Sequence, residues 1–109
     1  MPGVPQTLKK RSEFIAMNRA FKWVTPGFIL QFEPREEAGL RIGYTVSKKV
    51  GNAVTRNAVK RRFRALTYAH LAQENANIVL IGRQGVATLP FKQLQNDLRW
   101  ALKRVKQKI

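Results

Sequence analysis

The sequence predicts a small α+β domain, in the order helix, three strands, helix, strand, helix, with a short sheet packed on the helices. Three observations predict it. The spacing of hydrophobic residues changes between a helical period near 3.6 and a strand period of two along the chain. Turn-forming Pro, Gly and Asn residues fall between the periodic segments. A length of 109 residues suits one core and therefore one domain spanning 1–109. Hydrophobic residues make up 44% of the chain, with Trp23, Trp100 and six Phe among them, which is enough to build that core.

The elements follow in order. From Leu8 to Arg19, the residues Leu8, Phe14, Ile15 and Met17 among charged neighbours predict a short, weakly amphipathic helix. Ala20 to Val24 reads as a strand, Thr25-Pro26-Gly27 as a turn, and Phe28 to Phe32 as a second strand ended by Pro34, which together make a hairpin. After the polar loop from Arg35 to Gly39 a third strand alternates. Leu40, Ile42, Tyr44 and Val46 form its apolar face, and Arg41, Gly43, Thr45 and Ser47 the polar one. Gly51-Asn52 turns the chain into a helix from Ala53 to His70, with Asn52 or Thr55 as its cap. The unbroken apolar run Ile78 to Ile81 predicts a strand covered on both faces. Pro90 opens the last helix, where Phe91, Leu94, Leu98, Ala101, Leu102 and Val105 recur at helical spacing. Lys103, Arg104, Lys106 and Lys108 gather in its final turns, where cations complement the helix dipole.

Charge narrows the function. Lysine and arginine number 21 against six acidic residues, a formal charge of +15. Such self-repulsion opposes compaction unless a polyanion neutralises it, and the even spread of the charge favours nucleic acid over an anionic membrane surface. The absence of cysteine excludes disulfides, cysteine-ligated zinc, iron–sulfur clusters and thiol chemistry. The stretch Met1 to Gln6 carries no apolar run of signal-peptide length, and no stretch approaches the roughly 18 apolar residues of a membrane span. A cytoplasmic location is expected.

Catalytic groups are scarce. His70 is the only histidine and falls on an apolar helical arc, where packing or capping is the expected role. Glu36 and Glu37 share a loop and Asp97 lies in the basic last helix, so no spaced set of metal ligands is expected. No catalytic residue and no metal site is therefore assigned to the chain.

The informative stretch runs from Ser47 to Arg64. On a helix, Val59, Phe63, Leu66 and His70 share one narrow arc, while Arg56, Asn57, Lys60, Arg61 and Arg64 fill the next. No acidic residue occurs between Glu37 and Glu74, so the cationic arc lacks the i,i+4 partners of a merely solvated helix. Arginine forks bind phosphate oxygens bidentately, and Asn57 among them can donate and accept at a base edge or a ribose hydroxyl.

This string resembles the signature of the bacterial ribonuclease P protein family, in which a Lys-Lys-x-Gly-Asn-Ala-Val turn leads into an Arg-Asn-containing basic helix. Ser47, Lys48, Lys49, Gly51, Asn52, Ala53, Val54, Arg56, Asn57, Lys60, Arg61 and Arg64 match position by position. Leu8-Lys9-Lys10 with Phe14, and Arg41-Ile42-Gly43, extend the similarity over most of the chain. Ala58 departs from it where the family often has a second arginine, and Asn18 where it often has a second aromatic.

The resemblance implies the protein subunit of a ribonucleoprotein that removes the 5′ leader of precursor tRNA. Catalysis would lie in the RNA subunit with a divalent metal such as magnesium, the protein alone would bind no cofactor, and no protein partner would be required. It further implies RNA contacts from Lys48, Lys49, Asn52, Arg56, Asn57, Lys60, Arg61 and Arg64. It also implies a cleft for the unpaired leader formed by Phe14, Ile29, Gln31, Thr45 and Ser47, and a left-handed crossover between parallel third and fourth strands. The alternative on composition alone is a small ribosomal or other structural RNA-binding protein. An autonomous nuclease would need a cluster of acid, base or metal ligands that this sequence does not supply.

Overall fold

The computed structural model describes residues 6–109. Residues 1–5, and with them the N-terminal stretch without a signal-peptide run, lie outside the described part. The elements are β1 (Gln6–Thr7), α1 (Arg11–Ala16) continued by a 3-10 turn (Met17–Arg19), β2 (Phe21–Val24), β3 (Phe28–Pro34), β4 (Arg41–Thr45), α2 (Ala53–Leu66), β5 (Ala76–Gly82) and α3 (Phe91–Gln107). One mixed sheet has the order β1-β4-β5-β3-β2. The strands β4 and β5 run parallel and adjacent and are joined through α2, while β3 pairs antiparallel with both β5 and β2.

Alternation decides the two faces of the sheet. Phe28, Leu30 and Phe32 of β3, Ile42 of β4, and Ile78 and Leu80 of β5 face α2 and α3. There they meet Val59, Phe63, Leu66, Leu94, Leu98, Ala101 and Val105 in the main core. Phe63 sets its ring edge-on to Phe28, with centroids 6.0 Å apart and planes at 78°, an arrangement favoured by the ring quadrupoles. On the opposite face Leu8, Met17 and Val79 form a second, smaller core beneath α1. The apolar run in β5 is thus buried from both sides, as its sequence requires.

The structure departs from the sequence reading at four places. β1 adds a fifth strand, pairing parallel with Arg41 and Ile42. Two residues beside a proline carry no periodicity, so their partner 35 positions away is invisible locally. The first helix is shorter than the stretch from Leu8 to Arg19, because Leu8 donates its N–H to the Ile42 carbonyl (2.8 Å) and so extends the β1 ladder. The third strand ends at Thr45, and Ser47 accepts a turn hydrogen bond from Val50 N–H (3.0 Å) instead of lying in the sheet. Finally, the α-helix that begins at Ala53 widens into a π turn at Thr67–Leu71. The wider turn brings Leu66, Thr67 and Leu71 to the core together, and single π turns of this kind concentrate at functional sites.

Candidate nucleic-acid interface

Asn52 begins the site. Its Oδ1 accepts the N–H of Thr55 (2.9 Å) and caps α2, which satisfies one of the donors that a helix N-terminus leaves over. The orientation of α2 over the sheet is fixed further along. The Tyr44 hydroxyl lies 2.7 Å from Thr67 Oγ1, which itself donates to the Phe63 carbonyl (2.9 Å). Burial raises the Tyr44 pKa, and the Thr67 hydrogen bond and the nearby Arg64 charge offset part of that rise. Arg64 therefore stands where the helix meets the edge of β4.

With Val59, Phe63 and Leu66 anchored in the core, the neighbouring arc is turned outward. Lys48, Lys49, Asn57, Arg61 and Arg64 are exposed, and Arg56 and Lys60 half-buried. The ion pairs among the described residues are Arg35–Glu37, Arg41–Glu13 and Lys106–Glu74. None of them involves the turn before α2 or the helix itself, so this face carries uncompensated positive charge. Arg56 Nε is moreover buried without a partner. Tyr68, which the sequence reading passed over, is 60% exposed in the π turn one helical step beyond Arg64. Its signal was an aromatic at i+4 from an arginine on the cationic arc.

Arg62 has a different role. Its guanidinium reaches away from the arc and donates to the carbonyls of Val86 (3.3 Å), Ala87 (3.4 Å) and Leu89. It thereby ties α2 to the loop that precedes α3. Arg62→Ala is expected to lower unfolding free energy by about 1–2 kcal/mol, since charge-assisted bonds are lost while the carbonyls keep access to water. Urea denaturation measures this.

His70 leans on α3, with its Nε2 3.3 Å from Gln95 Nε2. Burial, and next the positive charge of Arg99, lower its pKa below the usual 6.5. The folded state then binds fewer protons at this site than the unfolded chain, so this contribution to stability is present above about pH 6.5 and is lost as pH falls through the folded pKa. The melting temperature should drop on acidification from pH 7.5 to 5, and His70→Gln should flatten that slope.

The second half of the site lies on the other sheet face. The ring of Phe14 covers Gly43 so closely that a Cβ there would sit 2.6 Å from Phe14 Cε1. Glycine at 43 is thus what lets the Cε1–Cζ end of the aromatic come this close to β4. The capping box at the start of α1, where Glu13 Oε1 accepts the N–H of Lys10 (3.0 Å), and the Glu13–Arg41 ion pair hold this short helix on the sheet.

Beside Phe14 the register aligns Val24, Ile29, Ile81 and Thr45 in one row across four strands. These side chains are half-buried or exposed, with Val24 57% exposed, so the row is an open apolar floor. Of the expected cleft residues, Ile29 and Thr45 share this row, and Phe14 lies over Gly43 in the adjacent one. Gln31 belongs to that adjacent row, with Val79 and Gly43, but is only 4% exposed, where β3 passes under the 3-10 turn, and so adds no open surface. Ser47 sits beyond the strand, in the turn that leads to Lys48 and Lys49. Ile81 and Val24 join the floor through register, which one strand's alternation cannot reveal.

A cationic helix with no acidic partner among the described residues on one face of the sheet, and a shallow aromatic and apolar cleft on the other, define a polyanion-binding module of the kind that takes nucleic acid. A family model described as Ribonuclease P matches residues 4–106, and the chain belongs to that family. It is 41% identical over 110 residues to the ribonuclease P protein component of Erythrobacter litoralis, with 98% of this chain and 91% of the relative covered. The solved structure of the Staphylococcus aureus RNase P protein superposes with a TM-score of 0.81 at 30% identity, covering 94% of this chain and 97% of that one. The Thermotoga maritima RNase P protein shares the fold, with a TM-score of 0.76 at 22% identity over 94% and 96% of the two chains. No helix among the described residues is long and apolar enough to cross a membrane.

Proposed function

We propose that the chain serves as the RNA-binding subunit of the ribonuclease P holoenzyme, gripping the catalytic RNA with α2 and the unpaired 5′ leader of precursor tRNA in the cleft. The observation that carries this reading is the outward arc of Lys48, Lys49, Arg56, Asn57, Lys60, Arg61 and Arg64, which has no carboxylate partner among the described residues. Each guanidinium on it can take a phosphate bidentately. Asn52 contributes its amide N–H₂, since its oxygen is engaged in the cap. Phe14 offers a ring face for a leader base, and the Val24–Ile29–Ile81–Thr45 row a floor on which a single strand lies.

The chemistry belongs to the RNA. In this reading the divalent ions of phosphodiester hydrolysis belong to the RNA subunit. The protein's part is to neutralise phosphates and position the substrate. Incubating precursor tRNA with the chain, with the RNA subunit, and with both tests the reading. Release of the leader should require the RNA subunit and should accelerate on adding the chain at moderate ionic strength. A chain that binds structured RNA but never stimulates cleavage would be a structural RNA-binding protein instead.

A further inference from the structure

The chain's only two tryptophans, Trp23 and Trp100, meet at one corner of the molecule. Trp23 projects from β2 toward the helical layer, and α3 packs across that strand. The guanidinium carbon of Arg104 lies 4.8 Å from the centroid of the Trp100 ring and 5.5 Å from that of Trp23. Lys108 Nζ is 5.5 Å from Trp23 and Lys103 Nζ 5.8 Å from Trp100. Trp100, counted with the core in the sequence reading, is 51% exposed, because its position on α3 falls outside the arc of Leu94, Leu98, Ala101 and Val105.

A clamp between α3 and the edge strand explains part of this arrangement, since a cation over an indole is attractive. It does not explain the rest. One indole and one cation suffice for a clamp, and Lys108 over Trp23 also donates to the Lys22 carbonyl (3.4 Å), whereas the second indole, Trp100, leaves half its surface in water with Lys103 and Arg104 repelling one another over it. No carboxylate among the described residues pairs with Lys103, Arg104 or Lys108. Arg104 donates from Nη1 to Gln107 (3.2 Å), and its Nε is buried without a partner. Aromatic faces set among unpaired cations are the features by which sequence-tolerant proteins hold single-stranded nucleic acid.

We propose that this corner is a second RNA contact, at which an unpaired nucleobase stacks on the open face of Trp100 while the adjoining phosphates pair with Lys103, Arg104 and Lys108. The inference rests on the reading that the chain binds RNA, but it concerns a separate place. β2 is the sheet edge opposite the one flanked by β4 and β1, whereas the basic turn and α2 follow β4. An RNA engaged at both would cross the helical layer of the protein.

Both tryptophans lie in the corner, so intrinsic fluorescence reports on it alone. Titrating the full chain with a fluorescein-labelled six-nucleotide oligoadenylate should give a saturable anisotropy rise, and the unlabelled oligonucleotide should quench tryptophan emission in parallel. Inorganic polyphosphate of equal charge should bind without comparable quenching, because it has no base to stack. Trp100→Ala should weaken oligonucleotide binding by at least about fivefold, whereas Trp23→Phe should keep the quenching. Lys103→Glu, which leaves the Arg104 clamp in place, should also weaken binding severalfold and covers the case in which Trp100→Ala does not fold. Binding with no quenching, equal quenching by polyphosphate, or wild-type affinity in Trp100→Ala or Lys103→Glu would overturn the corner while leaving RNA binding by α2 intact. An absence of any anisotropy change would likewise overturn the corner, and only if the chain also failed to stimulate cleavage by the RNA subunit would the RNA-binding reading itself fall. A blue shift on phosphatidylglycerol vesicles without quenching by the oligonucleotide would assign the corner to a membrane surface and sink the proposal.

Discussion

Replacing Arg56, Lys60 and Arg64 together by alanine is expected to weaken binding to the ribonuclease P RNA by roughly 10²- to 10⁴-fold at moderate salt, at about 1–2 kcal/mol for each screened, charge-assisted phosphate contact. The slope of log affinity against log salt should become shallower by about three units, because each contact no longer made releases about one counterion fewer. Alanine is a good helix former, and the residues that anchor α2, Val59, Phe63 and Leu66, are untouched, so the far-ultraviolet circular dichroism should not change. Arg62→Ala is the matching control from the same helix. It removes a cation engaged with Val86, Ala87 and Leu89 and should lower stability with little effect on the salt slope. An unchanged slope in the triple variant would mean that the arc is a solvated face.

Phe14→Ala is expected to reduce holoenzyme affinity for precursor tRNA by about five- to 150-fold, the range that follows from roughly 1–3 kcal/mol for one stacked base. Mature tRNA has no leader to stack, so its affinity should stay nearly constant and the preference for precursor should collapse by the same factor. Cations such as Lys49 and Lys60 remain to hold the backbone. Lengthening the leader from one nucleotide to several should help the wild type more than the variant. Gly43→Ala approaches the same contact from below, because its methyl group must displace the Phe14 ring and should shift affinity in the same direction. Equal losses for both tRNA forms, with the fold intact, would move the leader out of this cleft.

Much of this site was legible in the sequence, because it rests on local rules. The helical period of Val59, Phe63 and Leu66 fixes which side of α2 is buried, and the side of Arg56, Lys60 and Arg64 follows from that. What the sequence hid was non-local. Gln31 and Ile29 sit on the same face of β3, yet only the placement of the 3-10 turn buries one and leaves the other open. Val24 and Ile81 become neighbours of Ile29 through strand register. Arg62 looked like one more cation in a run, and its engagement appears only when the loop at Val86–Leu89 folds back against α2. Trp100 looked like core because it is large and apolar, but the buried arc of α3 was already filled.

The uneven division of the two cores sets a hierarchy of openings. The main core joins α2, α3 and four strands, whereas α1 rests on Leu8, Met17, Val79 and the Glu13–Arg41 pair. Free energies of local opening scale with the apolar contacts that must be broken, so β1 and α1 form the lowest rung of the ladder and α2 one of the highest. The aromatic wall of the cleft therefore rides on an element that can lift while the cationic helix stays fixed. If the proposed leader does pass beneath Phe14, it has to raise only six residues of helix, and the surface proposed for the catalytic RNA need not move to admit it.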